Sequence, residues 1–218
     1  MADNKIYHRI FSAILEQKLT PNKKINEEEL ASIFGVSRTI IRRVLLRLSL
    51  DGAVVLHKNR GAYVAALTAE QVHELYDARR IVEQGIVVTA CQNADEEDVR
   101  RLKDIVAAEH RSIDSDDRAS RIRLSGEFHL EIAKIADNDL LYGFLRQLVV
   151  RTSIARSCFE QEGVSPCNSQ DHEKLIDAIA SGDVAFATKL IVRHLKSSES
   201  ELILEDPEPE EDLKSILM

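Results

Sequence analysis

The chain has little of what several protein classes require. Its three cysteines, Cys91, Cys158 and Cys167, are odd in number and show no CxxC spacing. That excludes a disulfide framework and a cysteine-based zinc site. No apolar run approaches the length of a membrane-spanning helix, and the amino end lacks the basic-then-apolar pattern of a secretory signal. There is no internal repeat. The expectation is a protein of the reducing cytoplasm with no membrane partner. At 218 residues and 44% hydrophobic content it is long enough for one large domain or two small ones with real cores.

What is present is unevenly spread. The net charge of −8 conceals 11 Lys+Arg against 6 Asp+Glu through residue 67, then 18 against 31 beyond it. Sorted charge of this kind suggests a first module that faces a polyanion and a second with another task. A merely solvated basic face has the same signature.

In the first module Ile6, Ile10, Ile14 and Leu15 recur at helical spacing, and the pattern stops near Leu19-Thr20-Pro21, where proline bars continuation. Asn26 then caps a short helix that opens with Glu27, Glu28 and Glu29 and ends at Gly35. Ser37 caps a third, in which Ile41, Val44, Leu45 and Leu48 form one inward stripe. Arg38, Thr39 and Arg42 are left on the opposite face, with Arg43 and Arg47 toward its flanks. Two helices joined by a tight Gly-Val-Ser turn, the second presenting arginine at its start, form the geometry that sets side chains against base edges in a major groove. Ala53 to Leu56 and Ala62 to Ala65 read as two short strands around a basic turn from His57 to Gly61, which makes a wing. Arg38 and Arg42 are candidates for direct readout, with Thr39 at the groove floor or backbone. Lys58 and Arg60 are candidates for phosphate or minor-groove contact.

The run INEEELASIFGVSRTIIRRVLLRLSLDGAVVLHKNRGAYV resembles the winged-helix domain of the GntR superfamily of bacterial transcription regulators. Ser37, Arg43 and Gly61 complete the expected DNA-contacting set. Two positions depart from the family pattern: Ile40 stands where proline is usual, and Glu28 where a basic phosphate contact is common.

From Thr68 onward the period is helical throughout. Thr68 and Gln71 make a capping box, and Val72, Leu75, Tyr76, Arg79, Glu83, Ile86, Val87 and Ala90 share one stripe. Further helices are expected over about 95–113, 119–136, 138–160, 169–180 and 183–204, giving a bundle of six. His129, His172 and His194 each lie among apolar neighbours on a different helix. Singly, such a residue is most often a satisfied core histidine. Three that converge would need a partner for their nitrogens, and a divalent metal is the common one.

The segments EFHLEIAKIADNDLL, DHEKLIDAIASGDVAFATKLIVRHL and YDARRIVEQ resemble the ligand-sensing domain named FCD, found in the branch of the superfamily that includes the fatty-acid regulator. That resemblance implies an all-helical bundle and a zinc- or nickel-class ion held by one aspartate and three histidines. The histidines map onto His129, His172 and His194, and Ser125 stands where the aspartate usually lies. A neutral hydroxyl is a poor metal ligand, so binding weaker than in members with the aspartate is expected. Arg79 is either an anchor for an organic-acid effector or half of a structural pair with Glu83.

The fold class expected is therefore mainly α: a winged helix-turn-helix with a small β-hairpin wing (1–67), an FCD-like helical bundle for effector binding and dimerisation (68–204), and an acidic tail (205–218). The function expected is a DNA-binding transcription regulator. In such families the repressor is the more frequent role. The partners expected are palindromic double-stranded operator DNA, a small organic acid and a second copy of the chain. A metal-dependent hydrolase is the alternative from another class, with Glu127 and Glu173 as the carboxylates next to the histidines. The chain is otherwise read as no enzyme.

Overall fold

A computed structural model describes residues 2–160 and 168–204. Cys167 and the expected acidic tail, with its terminal segment Leu213 to Met218, lie outside the described residues.

The first helix, α1 (Ala2–Leu15), buries Ile6, Tyr7, Ile10, Phe11, Ile14 and Leu15. It stops earlier than the proline at 21 would require. Gln17 turns into the left-handed region at φ 54, and the Leu19 N–H bonds back to the Ala13 carbonyl at 3.0 Å, closing the helix end locally. The helix-turn-helix pair follows as α2 (Glu27–Phe34) and α3 (Arg38–Leu50). Asn26 accepts the Glu28 and Glu29 N–H groups, Gly35 closes α2 at φ 62, and Ser37 accepts the Ile40 N–H. The inward stripe of α3 is buried as its spacing predicts: Ile41, Val44, Leu45 and Leu48.

The wing is a three-stranded antiparallel sheet rather than a hairpin. Strands β2 (Val54–His57) and β3 (Gly61–Val64) pair in the register Val54↔Val64 to His57↔Gly61. A third strand, β1 (Lys24–Ile25), adds to the far edge of β3 through Lys24↔Tyr63 and Ile25↔Ala62. Two residues are too few to show a period, so β1 has no signature of its own in the sequence.

The bundle comprises α4 (Ala69–Asn93), α5 (Glu96–Asp114), α6 (Arg118–Ile135), α7 (Asp139–Phe159), α8 (Asn168–Ala180) and α9 (Val184–Ser200). Both bonds of the Thr68–Gln71 capping box form, and the residues α4 buries are the eight of its predicted stripe, Arg79 and Glu83 included. Helix α9 ends short of the expected Leu204 because the chain leaves it to cross the end of α7. There Leu202 pairs with Glu160 in an isolated bridge, and the Ile203 N–H bonds to the Phe159 carbonyl at 2.9 Å. Two apolar clusters organise the molecule. One fills the bundle; the other joins α1, α3 and the sheet but also takes in Ile122 of α6 and Val150 and Ile154 of α7. The reading head therefore shares buried surface with two bundle helices. Among the described residues no helix is long and apolar enough to cross a membrane.

Candidate functional site

The amino-terminal edge of α3 faces solvent. Ser37, Arg38, Thr39, Arg42 and Arg43 are all exposed, as are Lys58, Arg60 and Gly61 in the wing. The hydrophobic teeth of α3 leave this edge no alternative, since turning it inward would expose four fully packed side chains. Gly61 at φ 95 and Asn59 at φ 62 close the wing turn, with the Arg60 N–H on the His57 carbonyl at 3.1 Å. Structure adds what sequence reasoning missed: the arginines have internal acidic partners. Glu27 accepts from Arg42 Nε at 2.8 Å and lies 3.7 Å from Arg38, while Arg43 pairs with Asp3 at 2.9 Å. These are surface pairs in high dielectric, each contributing about 0–1 kcal/mol, which a phosphate displaces readily. Glu27 was visible as one of three acids opening α2, but only the turn geometry brings it under α3.

The histidines converge. His129 on α6, His172 on α8 and His194 on α9 are all buried, and their ligand nitrogens lie within 4.8 Å of one another. The Nε2 atoms of His172 and His194 are 3.3 Å apart, and those of His194 and His129 are 3.2 Å apart. Two buried carboxylates aim the rings. Glu83 of α4 accepts from His129 Nδ1 at 2.6 Å, and Glu109 of α5 accepts from His172 Nδ1 at 2.8 Å. Phe128 stacks on the His172 ring with centroids 4.1 Å apart. The two glutamates escaped notice as partners although both lie on inward stripes, Glu83 four residues from Arg79 and Glu109 three from Val106.

Burial opposes the charge on Glu83, but the Arg79 guanidinium at 2.6 Å and the His129 N–H outweigh it and hold the carboxyl at about 2. Burial likewise opposes Glu109, and its His172 contact carries it below the usual carboxylate range. Burial pushes His129 down to about 4 despite Glu83, and pushes His194 well down, with the neighbouring histidines adding to the effect. With His129 neutral and its Nδ1–H on Glu83, its Nε2 lone pair turns inward, and His172, its Nδ1 on Glu109, turns its Nε2 inward as well. The Nε2 of His194 meets both. Three imidazole nitrogens directed at one point form a donor set for a divalent cation. Tetrahedral nitrogens bonded at about 2.0–2.1 Å lie about 3.3 Å apart, and the His172–His194 and His194–His129 spacings match that of a zinc-class ion.

Ser125, one turn before His129, is buried and accepts from Arg156 Nη1 at 3.2 Å. Arg156 in turn bonds Glu160 at 2.8 Å, and Glu160 takes both Nη1 and Nη2 of Arg121 at 3.1 and 2.8 Å. Arg79 spends Nε on Glu83 and Nη1 on Thr152 at 3.1 Å, so it forms the structural pair while its buried Nη2 has no partner among the described residues. Arg156 Nε and His194 Nδ1 are also unpartnered among the described residues. Arg79, Ser125, His129, Thr152, Ser153 and Arg156 surround a cavity of about 10 Å³, room for one water-sized group. Glu127 and Glu173 face outward, the first paired with Arg123 at 2.7 Å and the second exposed. No carboxylate other than the two ring-aiming glutamates bonds the triad among the described residues, so nothing supports the hydrolase alternative.

Residues 2–64 match the family described as bacterial regulatory proteins, gntR family, and residues 74–197 match the FCD domain. The Nta operon transcriptional regulator of Aminobacter aminovorans is 32% identical over 62% of this chain and 64% of its own length. The chain thus aligns with just under two thirds of that relative. The Uxu operon regulator of Haemophilus influenzae is 29% identical over 94% of this chain and 86% of its own length. Among solved structures, E. coli McbR/YncC superposes with a TM-score of 0.79 at 19% identity, covering 92% of this chain and 96% of that one. Low identity with high overlap carries the fold alone. With both family matches on one chain, the protein belongs to the GntR family of bacterial transcription regulators, in the branch that carries an FCD domain.

Proposed function

We propose that the chain is a ligand-responsive repressor that works as a homodimer, with residues 1–67 reading operator DNA and residues 68–204 sensing and dimerising. The observation that carries the reading is the exposed edge from Ser37 to Arg43 beside the basic wing. Arg38 and Arg42 reach base edges, Thr39 and the Ser37 end meet the backbone, and Arg43, Lys58 and Arg60 meet phosphate, with Gly61 shaping the wing. One small head offers few specific contacts, so two related by a two-fold axis would read a palindrome. Binding to duplexes selected from a random pool, with a steep salt dependence that weakens in Arg42→Ala, tests it. A native chain that selects no duplex sinks it.

His129, His172 and His194 would hold a divalent ion, which when bound offers an open position for an anionic oxygen. Glu83 and Glu109 keep the rings turned toward it. Ser125 supplies no charge where the family has aspartate, and Arg156 occupies its hydroxyl. A small organic acid would meet Arg79 Nη2 and Arg156 Nε, the two guanidinium donors left over beside the triad. The cavity as built admits only a water-sized group, so a larger effector requires α7 to shift against α4 and α6.

A further inference from the structure

The far end of the recognition helix carries an oddity. Asp51 caps the carboxyl end of α3, where the helix dipole disfavours negative charge, and it is buried. Both features cost stability, so the residue is not there for the helix. Among the described residues its carboxylate has two partners, and neither belongs to α3. Tyr7 of α1 donates to Asp51 Oδ2 at 2.7 Å, and Arg146 of α7 donates to the same oxygen at 2.5 Å. The Tyr7 ring is itself covered by the guanidinium of Arg47, a recognition-helix residue, 4.3 Å from its centroid. Burial, then the Asp51 contact, push the Tyr7 hydroxyl above its ordinary range, which keeps it a donor.

The next residue makes a second joint. Gly52 sits at φ 83, and a Cβ there would lie 2.4 Å from Arg151 Nε, so the Arg151 side chain of α7 rests directly on the Gly52 backbone. Beneath the pair, Val150 and Ile154 of α7 are buried in the reading head's own apolar cluster. One helix, α7, therefore grips the end of α3 by a half-buried ion pair, a close backbone contact and an apolar floor. The same helix carries Thr152 and Arg156, which face the triad cavity. Arg146 precedes them by six and ten residues, about 9 and 15 Å along a helix.

We infer that Asp51, held by Arg146 and Tyr7, is the positioning residue that fixes the recognition helix on α7 and so sets the angle at which each head meets DNA. A displacement of α7 at the cavity reaches α3 through this joint, because α7 is continuous from one to the other. The contact does not touch DNA. It acts by holding Arg38 and Arg42 in register with their counterparts in the second copy. The inference rests on the paired-head reading above.

The test uses the full chain. Asp51→Asn/Arg146→Gln together removes the ion pair without stranding a buried charge, and Tyr7→Phe removes the other donor. Hydrogen exchange of the amides from Leu48 to Asp51 reads the joint directly, and it is expected to speed up about tenfold or more while the α4–α9 core keeps its protection. Binding is read on duplexes carrying one half-site, and on paired half-sites at spacings varied a base pair at a time. The native chain is expected to prefer one spacing and the double variant to lose most of that preference, with single half-site affinity unchanged. A fall in melting temperature with exchange and spacing preference intact would overturn the inference, leaving Asp51 a purely structural residue. If the native chain showed no spacing preference at all, the paired-head reading would fall and this inference with it.

Discussion

Arg42 and Arg156 each hold a glutamate at 2.8 Å, and the two pairs could hardly differ more. Arg42 is 64% exposed and Glu27 25%, whereas Arg156 is 7% exposed and Glu160 3%. In the head, water screens the attraction and the arginine can be given up to DNA. In the bundle, both charges have lost their hydration, and they are tolerable because opposite charges meet there, Arg156 and Arg121 converging on Glu160. The same chemistry serves as a loose parking place in one module and as a fixture in the other. Exposure decides which.

The sharpest way to break that contrast is Glu160→Gln. It deprives buried Arg156 and Arg121 of the carboxylate they share, so urea or thermal unfolding should report a loss of about 3–5 kcal/mol. Burial opposes the Glu160 charge, but Arg156 and Arg121 outweigh it and hold the carboxyl at about 2. A depressed acid stabilises the fold fully above its unfolded value, and that contribution disappears as pH falls from about 4.5 through the folded value. Melting temperatures measured from pH 6 down to 3 should therefore fall less steeply in the variant than in the native chain; equal slopes would show that Glu160 is not paired as described.

Next in size is the triad. His172→Ala should cut zinc uptake by chelator-treated, reloaded protein about 100-fold or more, and Glu109→Gln about 10–100-fold through the ring it aims. Elemental analysis and calorimetric titration check both, and unchanged uptake in His172→Ala would reduce the cluster to three packed core histidines. Smaller again, Arg42→Ala should weaken binding to a selected duplex by about 1–3 kcal/mol while stability changes by less than about 0.5 kcal/mol. Anisotropy titration and a melting curve read the two. The smallest effect has the opposite sign. Glu27→Gln frees Arg42 from its parking place, so the duplex should bind tighter by less than about 1 kcal/mol, and the gain should shrink as salt rises. Weaker binding would mean that Glu27 orients the arginine rather than competing for it.

Much of this was legible in the chain. The α3 stripe, the Thr68 capping box and the burial of Arg79 and Glu83 follow from local spacing, because a helix repeats every 3.6 residues whatever surrounds it. Helix ends were less so. Gln17 stops α1 before the proline does, and α9 gives up its last turn to a bridge with Glu160. The first rests on local turn geometry, the second on bonds to residues elsewhere. Strand β1 is invisible for the same reason, being defined only by the edge of β3 it covers.

The sequence by itself determined which faces are apolar, where arginine collects, and that three histidines stand on three inward stripes, since each is a property of one segment and its period. Tertiary structure alone decided that the imidazole nitrogens meet at 3.2 and 3.3 Å, that Glu83 and Glu109 rather than Glu127 and Glu173 serve them, and that Arg146 reaches Asp51. Those are relations between side chains 22 to 95 positions apart. No periodicity encodes them; they exist only once the helices are packed and burial has fixed which polar groups must find one another.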